Sequence, residues 1–111
     1  MMLDILLGLS ITVAGIAGAQ EKPADDPYKQ ALECRVYTEL AKAVHADDPS
    51  MVAMDRKLHD YWLKRSVKLG AKAGQSAQAV SMKSLVIPLE ADRFKPVMLA
   101  CLAATPEKEL R

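Results

Sequence analysis

The chain has only two cysteines and two histidines among its 111 residues, and its formal net charge is +1. Those cysteines, Cys34 and Cys101, stand too far apart in sequence to form a redox-active Cys-x-x-Cys motif or a zinc-type cysteine pair. The shortage of histidine leaves His45 and His59 with no third ligand at local spacing. The balanced charge removes the electrostatic case for nucleic acid, which needs a strong basic footprint. Nucleotide-binding loops, the dinucleotide fingerprint and the Gly-x-Ser-x-Gly elbow are all missing. So are internal repeats and low-complexity tracts. Leu85-Val86-Ile87 would suit a short strand, but no second strand-like run exists to pair with it, so a helical reading is kept.

What is present begins with an uncharged apolar stretch from Ile5 to Ala19, closing on Ala17-Gly18-Ala19. It falls short of the roughly twenty residues a bilayer span needs. The apolar run and its small-x-small close fit an export signal of residues 1–19 with cleavage after Ala19. The opening Met1-Met2-Leu3-Asp4 departs from that pattern, because no basic residue precedes Lys22. The expected localisation is periplasmic or secreted, with no stable membrane span after cleavage. In an oxidising compartment, Cys34 and Cys101 are read first as a disulfide.

The rest reads as helix punctuated by capping signals. Residues 20–27 form a polar, flexible lead-in, residues 28–105 a helical domain, and residues 106–111 a charged tail. Asp26-Pro27 starts a first helix running to about Ala46, with Leu32, Val36, Leu40, Ala43 and Val44 at helical spacing. Asp48-Pro49 repeats the signal for a second helix. Its expected stripe is Met51, Met54, Leu58, Tyr61, Trp62 and Leu69, with Gly70 and Gly74 bracketing a frayed end and Gly74 as the expected stop. Ser76 caps a third helix that Pro88 stops. A fourth runs from about Phe94 to Ala104, with Pro96 in its first turn and Phe94, Val97, Met98, Cys101 and Leu102 on its apolar stripe. The expected fold is an all-α, small four-helix bundle with the disulfide clamping the first helix to the last. Leu40, Leu58, Tyr61, Trp62, Phe94 and Met98 are its expected core anchors, and Met51, Met54, Met82 and Met98 are read as core.

Catalytic and ligand-binding constellations are scarce. Asp55 and His59 lie at i, i+4 and could share a face, which is ordinarily an exposed ion pair. With Tyr61 and Trp62 turned inward, His59 and Asp60 are expected to face solvent. Ser66, Ser76, Ser81 and Ser84 have no recognisable base. Lys57, Lys64, Lys68 and Lys72 form one basic stripe, read as a solvated face, with a weak contact to anionic lipid or cell-wall polymer as the sharper alternative.

The closing stretch Asp92-Arg93-Phe94-Lys95-Pro96 through Ala100-Cys101-Leu102 and Thr105-Pro106 resembles that of uncharacterised small exported helical proteins of Gram-negative bacteria. More loosely, the chain is similar to acid-stress periplasmic chaperones in size, helical class and single disulfide. Neither resemblance implies an activity. The expectation is a non-enzymatic accessory or interaction protein of the envelope, without cofactor or metal. It would bind a protein partner, with a chaperone-like role as one variant. The competing reading is a metal-handling protein or hydrolytic enzyme built on the Asp55/His59 face. The export reading has a direct check. Intact mass of the envelope-fractionated protein is expected to begin at Gln20, and a cytosolic chain retaining Met1 would refute it.

Overall fold

The computed structural model describes residues 26–111. The expected export signal, and the lead-in before Asp26, lie outside the described residues. Four helices follow one another: α1 (Pro27–Val44), α2 (Pro49–Lys72), α3 (Ala77–Leu85) and α4 (Ala91–Ala104), with a closing 3-10 turn at Glu107–Leu110. No strand occurs among the described residues. Nor is any helix there long and apolar enough to cross a membrane.

The helix starts follow the capping chemistry. Asp26 accepts from the Tyr28 amide, Asp48 from the Ser50 and Met51 amides, and Ser76 from the Ala79 amide. Prolines occupy the first position of α1 and α2, where a missing N–H costs nothing. Helix α1 ends at Val44, earlier than its sequence suggests, because His45 leaves the helical track and caps it. Helix α4 starts at Ala91, earlier than expected, which places Pro96 inside the helix. Its first turn is tied down from α1. The Tyr37 hydroxyl accepts from the Glu90 amide at 3.0 Å, and Arg93 pairs with Glu33 at 2.8 Å. Those ties offset the one backbone bond Pro96 forfeits.

Helices α1 and α2 form an antiparallel hairpin, and α1 is the element on which α2, α3 and α4 all pack. The core gathers Ala31, Cys34 and Tyr37 of α1, Trp62 of α2, and Val97 and Cys101 of α4. Cys34 and Cys101 are bonded, with Cα atoms 5.7 Å apart. The bond joins the first helix to the last across 67 positions, which stabilises by about 4 kcal/mol in the chain-entropy model. Trp62 is 2 % exposed, and its Nε1 donates to Thr105 Oγ1 at 3.0 Å. Leu58 is buried too. Tyr61, Phe94 and Met98 are half-buried against the core, and Leu40 is half-buried away from it.

The second helix sits in a different rotation from the one its apolar residues suggest. Its buried face is Asp55, Leu58, Trp62, Ser66 and Gly70. Met51 and Met54 are exposed, as are Met82, Val44 and Leu102, so the core reading fails for them. Gly70 is not a frayed end. It lies inside α2 where α3 crosses, and a Cβ there would sit 2.3 Å from Val80 Cγ2. Gly74, just past the helix, takes the positive φ of 80° that favours glycine. Gly70→Ala should therefore destabilise the fold by about 1–3 kcal/mol through overpacking. Urea unfolding monitored by Trp62 fluorescence measures it; an unchanged midpoint would mean that α3 is free to shift.

Candidate functional site

Helix α3 is short, and the chain beyond it turns at Pro88, so the middle of α1 is left partly uncovered. A groove of about 530 Å³ results. Val36, Leu40 and Ala43 of α1 form its floor. Leu63 of α2 lines one wall, and Leu85, Ile87 and Leu89 line the other. The second wall is a ridge pinned from below. Tyr37 Oη donates to the Pro88 carbonyl at 3.2 Å while accepting from the Glu90 amide. Leu89 lies between the two pinned groups and Leu85 ends α3; they are 52 % and 76 % exposed. A volume of this size falls within the range of about 300–1,000 Å³ typical of small-molecule sites.

A polar cluster closes one side of the groove. Arg35 donates through Nη1 to Ser66 Oγ at 3.1 Å and through Nη2 to Ser81 Oγ at 2.9 Å. Its guanidinium thus bridges α2 and α3. Burial holds its pKa below the usual arginine value. Glu39 Oε1 meets Lys42 Nζ at 2.9 Å and His59 Nε2 at 3.0 Å. The Lys42 hydrogen bond is the main reason its pKa is lowered.

His59 faces inward, contrary to the solvent-facing expectation. Its Nδ1 lies 3.1 Å from both Thr38 Oγ1 and the Arg35 carbonyl. Burial is the largest influence on the ring and holds its pKa below the ordinary value, with Glu39 opposing. A neutral ring has one N–H, so it serves either the α1 carbonyl or Glu39; the second proton would serve both.

Asp55 and His59 do not form a shared face. Asp55 is 3 % exposed and pairs with His45 Nδ1 at 2.6 Å. His45 packs edge-on to Phe94, with ring centroids 6.2 Å apart, so this pair joins α1, α2 and α4 rather than a cavity. No group of three or more His, Cys, Asp or Glu side chains is placed to hold a metal ion among the described residues. Asp60 is exposed and bridges to Lys64 at 3.0 Å. Of the basic stripe, Lys64 and Lys68 line a shallower depression with Arg65 and Lys108, while Lys57 Nζ reaches the Leu110 carbonyl at 3.3 Å.

The sequence reading passed over Arg35, Glu39 and Leu89. Arg35 and Glu39 sit within a helix whose apolar spacing drew attention to its other residues, and Leu89 lies in a turn. The one available signal was the position of Arg35 on α1 between Leu32, Val36 and Leu40, a cation inside an apolar arc. The chain matches no family model, no curated protein and no solved structure.

The buried ring gives a pH dependence with a definite sign. Between the ordinary histidine pKa and the lowered folded value, the unfolded chain holds a proton on His59 that the native chain does not. Stability is therefore highest above the ordinary value and falls as pH drops through that window. His59→Gln should remove this part of the loss between about pH 7 and pH 5. Urea midpoints across that range check it, and parallel slopes for the two proteins would refute the assignment.

Proposed function

We propose that the chain is an exported, non-enzymatic accessory protein of the cell envelope, and that it binds an apolar partner in the groove between α1, α2 and the α3 ridge. The observation that carries the reading is the ridge itself. Leu85, at the end of α3, and Leu89, in the turn that Tyr37 ties down, stand exposed above an apolar floor. Large apolar side chains grouped at a preformed groove mark interaction surfaces more often than chance exposure does.

Export is supported by the bonded Cys34–Cys101 pair, since such bonds persist in oxidising compartments. The apolar run closing on Ala17-Gly18-Ala19 supports it as well. A catalytic reading draws less support. His45 and Asp55 bond each other at a helix junction, and His59 engages Glu39 and α1 backbone. The chaperone-like variant has one physical basis. Protonating His59 in mild acid places charge in a half-buried site beside the groove.

The groove is tested with Nile red, a neutral apolar dye. The oxidised full chain is expected to bind it. Leu85→Glu with Leu89→Glu should weaken that uptake about tenfold or more, since each buried leucine contributes about 1.5–3 kcal/mol. Both residues are exposed, so the unfolding midpoint should hold. Unchanged uptake in the double variant would refute the site.

A further inference from the structure

We infer that the groove takes a fatty acid, with the alkyl chain between Leu40, Leu63, Leu85 and Leu89 and the carboxylate on Arg35. The inference rests on the apolar-groove reading above and adds the chemical class of the ligand.

Among the described residues, Arg35 lacks a counter-charge. The hydrogen-bond partners of its guanidinium there are the neutral hydroxyls of Ser66 and Ser81, and no carboxylate stands within ion-pair distance. Glu39 shares the groove but is engaged by Lys42 and His59. A partly buried cation is costly unless an anion joins it. A guanidinium carries five N–H donors in a planar fork, and two are engaged here. The rest suit a carboxylate, and the two serines hold the fork from separate helices before any ligand arrives. The cation also disfavours a positively charged amphiphile.

The walls decide between an alkyl chain and a peptide. The floor and the α2 wall are helix faces whose backbone groups are already paired. On the ridge, the Val86 amide donates to the Lys83 carbonyl and the Ile87 amide to the Ser84 carbonyl. Pro88 has no N–H, its carbonyl accepts from Tyr37, and the Glu90 amide donates to the same hydroxyl. An extended peptide laid here would bury its own amides with few partners, a cost of the kind that strand-addition sites avoid. An alkyl chain has no such groups. A volume of about 530 Å³ accommodates a chain of that kind.

The test compares three amphiphiles with one tail and different heads: dodecanoate, dodecanol and dodecyltrimethylammonium, each below its micelle concentration, on the oxidised full chain. Calorimetry and the Arg35 Nε–Hε NMR resonance supply the readouts. Dodecanoate is expected to bind about tenfold tighter than the other two and to shift that resonance, as a charge-assisted bond would give. Arg35→Gln should abolish the preference while leaving dodecanol binding in place, and Arg35→Lys should keep part of it. If Arg35→Gln fails to fold, the comparison of heads on the native chain decides alone. Equal binding of the three would overturn the carboxylate assignment and leave the groove standing. Binding of none, with Leu85-dependent uptake of Nile red retained, would overturn the lipid class alone. Tighter binding of an apolar peptide than of dodecanoate would overturn it in favour of a polypeptide. Loss of Nile red uptake as well would remove both readings.

Discussion

Helix α1 packs against three other helices at once, and the structure is arranged around that demand. A helix can approach several neighbours closely only where its side chains are small. Ala31, Cys34, Thr38 and Ala41 are the residues buried to zero exposure along α1 beside Tyr37. Small side chains bring little apolar area with them, so burial alone stabilises this core modestly. The Cys34–Cys101 bond makes up the difference where α1 meets α4, at the centre of the core cluster. It acts on the unfolded chain, which must give up loop-closure entropy whether or not the core is well filled.

Where apolar area is scarce, polar side chains do the joining. Arg35 links α1 to α2 and α3 through two serines. Asp55 and His45 link α2 to the end of α1. Glu33 and Arg93 link α1 to α4, and Trp62 reaches Thr105 at the end of α4. These bonds are directional, so each fixes a rotation or a register that a small greasy interface would leave loose. The Tyr37 hydroxyl shows the effect most clearly. By donating to one backbone group of the turn after α3 and accepting from another, it fixes the stretch of chain that carries Leu89.

The starts of α1, α2 and α3 were legible because they depend on local chemistry. Asp26-Pro27, Asp48-Pro49 and Ser76 each satisfy amides within three residues, and no distant partner can change that. The disulfide was legible because two cysteines on apolar faces leave one intramolecular pairing. The rotation of α2 was not. A stripe drawn through Met51, Met54, Leu58 and Tyr61 assumes that apolar residues choose the buried face. Here Asp55 and Ser66 take it, because His45 and Arg35 stand opposite them from α1 and its C-cap. Pairings between residues 10 and 31 positions apart leave no periodic trace in the sequence. The groove was hidden for the same reason. Its cation, Arg35, belongs to α1, but its meaning comes from Ser66, Ser81 and a turn more than fifty residues on.

Helix lengths explain why a groove exists at all. At 1.5 Å per residue, the 18 residues of α1 span about 27 Å, and the nine of α3 span about 14 Å. Gly70 lets α3 seat closely at its start, against the far end of α2. From there it runs out of length before reaching Leu40 and Ala43. Pro88 prevents its extension, because the residue before a proline avoids helical angles. Helix α4 cannot fill the gap, since the disulfide holds it against the Cys34 side of α1. The exposed leucines are thus the edge of a layer that stops short. A longer α3 would cover the floor and bury Leu85. The short one leaves an apolar trough beside a cation that no carboxylate among the described residues neutralises.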